Sequence, residues 1–393
     1  MVAPEIGLAM TKNGNPASDS IILDEYVRAI QRTDRLSQKD LRPVLMGLFG
    51  EVGSIMAPAK KAHREKDAYQ GYQDAVEEEF GDALWYFSAL ATRLNHNLSD
   101  LFSHAVSADH YQKIVAAGTL PTGPIVHISS PKLSENIDEA LLELGQAGAE
   151  LLSLRNDSSD ATKLLQKFAA AYLNALSVAN ANFSRVLKRN LAKVSGRFLK
   201  PDPTSLPDFD SDFDPDERLP EKFEIVIKQR PNGQSCLLWN GVFIGDPLTD
   251  NIHDTDDYRF HDVFHFAHAA ILHWSPTFRA LIKHKRKSDK RIDEAQDGGR
   301  AIVVEEGLTA WLYSRSKALK YFEGQDSVSL DLLKTISEFV RGYEVESCPL
   351  NLWENAILQG YEVFREVRKH NGGIVVGDRV TRTIGFRPLP VTK

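Results

Sequence analysis

Cysteine is almost missing from this chain: only Cys236 and Cys348 occur in 393 residues. Two thiols exclude a disulfide scaffold or a cysteine-rich zinc site, and they suit a reducing cytoplasm. Long apolar runs are missing too; nothing approaches the ~18 consecutive apolar residues of a membrane helix. Basic residues are not in excess either. The 47 Lys and Arg stand against 54 Asp and Glu, a net charge of -7. That balance argues against wholesale nucleic-acid binding but leaves room for a local basic patch on a small phosphate ligand. The opening MVAPEIGLAMTKNGNPASDS has no basic start followed by an apolar block, so residues 1–20 read as a flexible arm rather than a secretion signal. What is present, 42% apolar and 26% charged residues, is the composition of a soluble globular protein long enough for two domains.

The expected fold class is mainly α. Residues 21–200 read as an all-α helical bundle, with no strand-type alternation before residue 200. ILDEYVRAIQRTD is amphipathic, and LRPVLMGLFGEVGSIMAPAKKAHREK is apolar nearly all round before it turns basic. A third helix starts at VEEEF and runs to about Asn95; the helical pattern goes on to about Ala117 and breaks at Pro121, Gly123 and Pro124. SENIDEALLELGQAGAELLSLRND resumes it, and one long helix from DATKLL to SGRF is expected to bend near its middle. The stretch 201–221, rich in proline and aspartate, reads as an acidic linker or an extended strap. Residues 222–393 read as an α+β accessory domain. It opens with a hairpin of FEIVIKQR and SCLLWNGVFIG around Pro231-Asn232-Gly233-Gln234, continues in helices from Tyr258 to about His370, and ends in a strand and tail.

The stretch VEEEFGDALWYF sets Glu77, Glu78, Glu79 and Asp82 directly before large aromatics. On a helix, Val76, Phe80, Ala83, Leu84, Phe87, Ala91 and Leu94 form one core-facing stripe, and Glu79 and Asp82 share a flank. Taken alone, the run Glu77-Glu78-Glu79 describes a solvated face. The preceding helix is more telling, because Glu51 is the one charge in VLMGLFGEVGSIM. Gly47, Gly50 and Gly53 recur there every third residue. Each costs roughly 1 kcal/mol in a helix relative to alanine, which suggests a packing reason. A lone carboxylate in such surroundings needs an arginine or a bound cation, and carboxylates from facing helices are a standard way to hold a hard divalent cation.

GLFGEVGS, followed about two dozen residues later by EEEFGDALWYFSALA, resembles the MazG-type all-α nucleoside triphosphate pyrophosphohydrolases. KRNLAKVSGRF is similar to that family's closing element, and the likeness brackets residues 22–200. The resemblance implies Glu51, Glu79 and Asp82 as catalytic carboxylates. It also implies Mg²⁺, with Mn²⁺ possible, held by Glu51, Glu78, Glu79 and Asp82. Asn190, Lys193 and Arg197 would meet the substrate's phosphates, and Lys60, Lys61 and Arg64 either add to them or form a solvated basic face. The implied reaction turns a nucleoside triphosphate into a monophosphate and pyrophosphate. The implied assembly is a homodimer or higher homo-oligomer, and the roles are nucleotide-pool control, house-cleaning, or stress and phage defence. One position departs from the pattern: Ser54 stands where the family has its second acid. A hydroxyl is a weak neutral ligand, so either Glu78 compensates or the domain is a nucleotide sensor with weakened catalysis that regulates the second half.

That second half carries its own cluster. His261, His265 and His268 fall on one helical face with Asp262 beside them, and Glu305 and Glu306 begin a later helix. These are either hydrogen-bonded core histidines or a metal or catalytic site, and in the latter case a metal-dependent hydrolase is the alternative activity. The His-Asp-x-x-His spacing is that of zinc peptidases, but aspartate is shorter than the glutamate their chemistry uses. A His-Asp phosphohydrolase would need an upstream histidine and a downstream aspartate that do not stand out. Between the two motifs, KHKRKSDKRIDEAQDGGR reads as a solvated loop or a phosphate-gripping one. VEEEFGDALWYFSALA is faintly echoed by VVEEGLTAWLYSRSKA, the mark of a divergent, ligand-sensing relative of the first half. The half also resembles the C-terminal extension of longer MazG-type proteins.

Overall fold

The computed structural model describes residues 23–66, 69, 71–105, 119–120, 123–124, 136–199 and 201–390. The expected arm at 1–20 and the helical pattern at 106–117 lie outside the described residues. The chain divides after Leu199 into two compact units. The first is helical as expected and the second is α+β.

The first unit comprises α1 (Leu23–Thr33), α2 (Arg42–Glu65), α3 (Tyr72–Arg93), α4 (Leu98–Ala105), α5 (Ile137–Leu151), α6 (Ala161–Val178) and α7 (Phe183–Phe198). A two-residue ladder, β1 (Thr119–Leu120) with β2 (Gly123–Pro124), is the departure from an all-helical reading. α2 packs on α3 and α5, and α3 packs on α7. The stripe of α3 is core, with Val76, Phe80, Ala83, Leu84, Phe87 and Ala91 all buried. Phe80 meets the Tyr172 ring edge-on at 5.3 Å, and the Tyr172 hydroxyl donates to the Phe80 carbonyl. The long C-terminal helix is broken rather than bent. Asn180 takes a φ of 54°, and Asn182 caps α7 by accepting from the Arg185 amide. Asparagine tolerates the left-handed region and is a favoured N-cap, so two of them end one helix and start the next. Of the three spaced glycines, only Gly47 has a packing reason. A Cβ there would lie 2.1 Å from Tyr86 Cε1, whereas nothing lies within 4 Å at Gly50 or Gly53.

The second unit is built on one antiparallel sheet in the order β5-β4-β3-β6-β7. Its strands are β3 (Lys222–Gln229), β4 (Ser235–Trp239), β5 (Val242–Leu248), β6 (Gly372–Asp378) and β7 (Thr383–Arg387). The expected β3–β4 hairpin is present, with Ile227 opposite Leu237. SCLLWNGVFIG, read as one run, is two strands. Asn240 and Gly241, at φ 49° and 80°, supply the two positive-φ residues a tight hairpin loop requires. The expected strand and tail is likewise a strand pair, β6 with β7, and β6 adds to β3. The helices are α8 (Asp262–Ala267), α9 (Pro276–Ile282), α10 (Lys290–Ala295), α11 (Gly299–Ser316), α12 (Leu330–Phe339) and α13 (Leu350–His370), with a π-helical turn, His268–Leu272, continuing α8. α13 packs on α8, and its Trp353, Tyr361 and Phe364 are buried.

The acidic stretch at 201–221 lies along this second unit as a strap. Asp210 is buried, pairs with the buried Arg279, and accepts from the Leu219 amide at 2.8 Å. Asp208 pairs with Arg379 at 2.9 Å. Two of the aspartates, Asp208 and Asp210, are thus held by buried guanidinium groups, while Asp202, Asp212, Asp214 and Asp216 are exposed.

Candidate active site

In the first unit α2 presents Glu51, and α3 presents Glu79 and Asp82, with one carboxylate oxygen of each within 4.8 Å of the others. Local sequence dictates this placement. Leu48, Val52 and Ile55 bury the neighbouring face of α2, while Phe80 and Ala83 bury that of α3, so the three acids are held half-buried at the rim of the core. Ser54 lies one turn along α2 and is also half-buried.

α7 closes the site. Buried Asn190 donates to Asp82 Oδ1 at 3.1 Å and accepts from the Tyr26 hydroxyl at 2.7 Å. Lys193 Nζ lies 2.5 Å from Asp82 Oδ2 and 2.9 Å from Glu78 Oε1. Gly81 makes this approach possible, because a Cβ there would lie 2.9 Å from Asn190 Cβ. Burial, with Tyr172 and Asp82 nearby, pushes the Tyr26 hydroxyl well above its ordinary value, so it stays a neutral donor. Burial together with Glu51 and Asp82 raises Tyr86 in the same way. Among the phosphate-binding candidates, Asn190 and Lys193 join the carboxylates. Arg197, one turn on, lies 5.6 Å from the Phe198 ring. Lys60, Lys61 and Arg64 are exposed on the last turns of α2, with Lys61 over the Tyr69 ring at 5.8 Å.

Glu77 corrects the solvated-face reading of the acidic run. It is only 1% exposed and takes Arg185 Nε at 2.9 Å and the Asn182 amide at 3.3 Å. Arg189, one turn beyond Arg185, lies 3.7 Å away. The first acid of the run is a structural ion pair, and the pair of arginines four apart on α7 is the one sequence signal for it.

In the second unit α8, its π turn and α11 converge. His265 is fully buried, its Nδ1 3.1 Å from Glu305 Oε1 and its Nε2 3.3 Å from Glu306 Oε1. His268 Nδ1 lies 2.9 Å from Glu305 Oε1, and His261 Nε2 lies 3.4 Å from Glu306 Oε2. Glu305 also accepts from Ser275 Oγ at 3.1 Å and the Thr277 amide at 3.0 Å, two partners that sequence spacing did not flag. Burial alone would raise Glu305, but His265 and His268 hold it well below the carboxylate range. Burial likewise opposes the shift at Glu306, which His261 and His265 hold low when their rings are protonated. Asp262, buried beside them, is raised by its burial against the pull of His261 and His265.

The basic segment between these motifs is in part a core tie. Arg286 is buried against Asp297 at 2.7 Å and Glu344 at 2.6 Å, while Lys287, Lys290 and Arg291 are exposed. A separate cleft between the strap and the β6–β7 turn is lined by Asp208, His273, Arg379 and Arg382. Its Asp208 and Arg379 are already paired with each other.

A segment of 65 residues is 42% identical to the Gene 37 protein of Mycobacterium phage L5, covering 16% of this chain and 57% of that protein. The match thus spans little more than half the length of that relative. No solved structure matches the chain. Residues 204–390 match the family described as the MazG C-terminal domain, a span that falls wholly within the second unit and does not reach the carboxylates of the bundle. Through residues 204–390, the second unit is thus similar to the MazG C-terminal domain.

Proposed function

We propose that the bundle hydrolyses a nucleoside triphosphate, ribo- or deoxyribo-, to the monophosphate and pyrophosphate, with Mg²⁺ held at Glu51, Glu79 and Asp82 and Mn²⁺ able to replace it. The observation that carries this reading is the convergence of three carboxylates from α2 and α3 within 4.8 Å, backed by Asn190 and Lys193 from α7. An all-oxygen donor set suits a hard divalent cation, which when bound polarises the phosphoanhydride and makes water more acidic. Water adds at the α-phosphorus, the bond to the bridging oxygen breaks, and pyrophosphate leaves. Glu79 orients the water and takes its proton, Glu78 supplements the acid that Ser54 lacks, and Lys193 and Arg197 neutralise charge on the departing pyrophosphate. The assay is pyrophosphate release from a panel of NTPs and dNTPs with Mg²⁺. Glu79→Gln is expected to cost about 100-fold or more, and turnover that survives it unchanged overturns the assignment.

A second reading has one observation in its favour. Ser54 stands where the resemblance expects an acid, and Lys193 already lies against Glu78 and Asp82. The bundle would then be a nucleotide sensor acting on the second unit, and nucleotide binding without pyrophosphate release would distinguish it. For the assembly we propose a homodimer or higher homo-oligomer. On α2 the side chains of Met46 and Phe49 are 71% and 43% exposed, and Gly50 and Gly53 are open beside them. Among the described residues no helix is long and apolar enough to cross a membrane. A cytoplasmic role in nucleotide-pool control, house-cleaning or phage defence accords with the proposed chemistry.

A further inference from the structure

The cluster in the second unit has an arrangement of protons that the bundle site lacks. His261 Nδ1 lies 2.9 Å from the Tyr258 carbonyl, which only accepts, so Nδ1 carries the proton and the Nε2 of the neutral ring is a lone pair. The ring is locked there by stacking on Tyr258, centroids 4.3 Å apart and planes 3° from parallel. His265 is placed between two carboxylates without an in-line hydrogen bond: its Nδ1 lies 3.1 Å from Glu305, which is anchored by Ser275 Oγ and the Thr277 amide, and its Nε2 lies 3.3 Å from Glu306. Two Nε2 atoms therefore point at the two oxygens of one carboxylate, at 3.4 and 3.3 Å.

Left alone, those atoms repel one another; something positive must lie among them. A proton on either Nε2 would give a charge-assisted hydrogen bond, which is in line and about 2.7–2.9 Å long. The contacts are longer, and fully buried His265 makes no in-line hydrogen bond through either nitrogen. Ligands bound at about 2.0–2.1 Å around one metal are instead about 2.9–3.4 Å apart, at tetrahedral or octahedral angles. His261, His265 and Glu306 bring one donor atom each within 4.8 Å.

We infer that His261 Nε2, His265 Nε2 and the Glu306 carboxylate form a binding site for a divalent first-row transition metal, Zn²⁺ foremost. Two imidazoles with one carboxylate select such a cation over Mg²⁺. Glu305 is a positioning residue: it accepts from His268 at 2.9 Å and faces His265 Nδ1, the carboxylate–histidine support that metal-binding imidazoles use. Glu306 is 38% exposed, so the site opens to solvent on that side and retains a position for water or a ligand. The inference is independent of the hydrolase reading, because it concerns a different unit and a different donor set.

The test uses the full chain carrying Glu79→Gln, so that the bundle carboxylates do not report, stripped with chelator and titrated with Zn²⁺ by calorimetry and with Co²⁺ by visible absorption. A single Zn²⁺ per chain and intense Co²⁺ bands are expected, along with tighter binding of Zn²⁺ than of Mg²⁺. Adding His261→Gln or Glu306→Gln should abolish the Co²⁺ bands while the circular dichroism is kept. Glu305→Gln should weaken Zn²⁺ binding by about 10- to 100-fold. Unchanged Zn²⁺ affinity in the folded His261→Gln and Glu306→Gln proteins overturns the site. So does wild-type-like chain that binds neither metal and shows a protonated His265 by ¹⁵N NMR.

Discussion

Glu77→Ala separates a buried structural acid from its half-buried neighbours in the same run. Glu77 is 1% exposed and takes four donors: Arg185 Nε at 2.9 Å, Arg185 Nη2 at 2.5 Å, the Asn182 amide at 3.3 Å and Gln73 Nε2 at 3.5 Å. Removing one partner of a buried pair costs about 3–5 kcal/mol when the other charge stays buried. Here the Arg185 side chain is 58% exposed and regains water, which brings the expected loss down to about 2–3 kcal/mol. Glu78 is the control. Its partner Lys193 keeps a second carboxylate in Asp82, so Glu78→Ala should cost under about 1 kcal/mol. With a urea m-value of ~2 kcal/mol/M, Glu77→Ala lowers the midpoint by about 1 M. The unfolding is followed by hydrogen exchange at α3 and α7 amides, so that the bundle is read apart from the second unit. Equal small losses for Glu77→Ala and Glu78→Ala would refute the reasoning and return Glu77 to a solvated face.

Three further outcomes are expected. Gly50→Ala, with nothing within 4 Å of the added methyl, should stabilise the bundle by up to about 1 kcal/mol. Gly47→Ala must displace the Tyr86 ring and should destabilise it, and paired thermal melts in which both variants lose stability would show that the Gly50 face is covered. Asp34 pairs with Arg93 at 2.7 Å, and although burial works against it, that hydrogen bond holds its carboxyl below the ordinary value. Its contribution is therefore full above about pH 4, the unfolded carboxyl value, and is lost as pH falls through the lower folded value. Acid unfolding of Asp34→Asn should accordingly lack that step, and an unchanged profile counts against it. Ser54→Glu adds a charge beside Glu51 and should tighten Mg²⁺ binding measured by calorimetry; weaker binding would mean that the native site has no place for a further acid.

The helices that carry the candidate site were legible because apolar residues at helical spacing fix which face is core, and so which flank holds Glu79 and Asp82. Glu51 was legible as the lone charge on an apolar helix. Glu77 was not, because its burial depends on Arg185, 108 residues away in sequence. Spacing alone likewise could not tell Gly47, closed over by Tyr86, from Gly50 and Gly53, which face open space. In the second half, the apolar character of SCLLWNGVFIG masked the Asn240-Gly241 turn. The basic run concealed Arg286, whose carboxylate partners Asp297 and Glu344 come from later segments. The histidine spacing was visible, but the proton-holding partners, the Tyr258 carbonyl and Glu305, emerge only in three dimensions.

The most direct test of the central claim is a ³¹P NMR time course of the full chain with a nucleoside triphosphate and Mg²⁺. The account predicts that the signals of the nucleoside monophosphate and pyrophosphate grow together, and that Glu79→Gln stops both. Nucleoside diphosphate with inorganic phosphate, or an unchanged triphosphate across the NTP and dNTP panel, would contradict it.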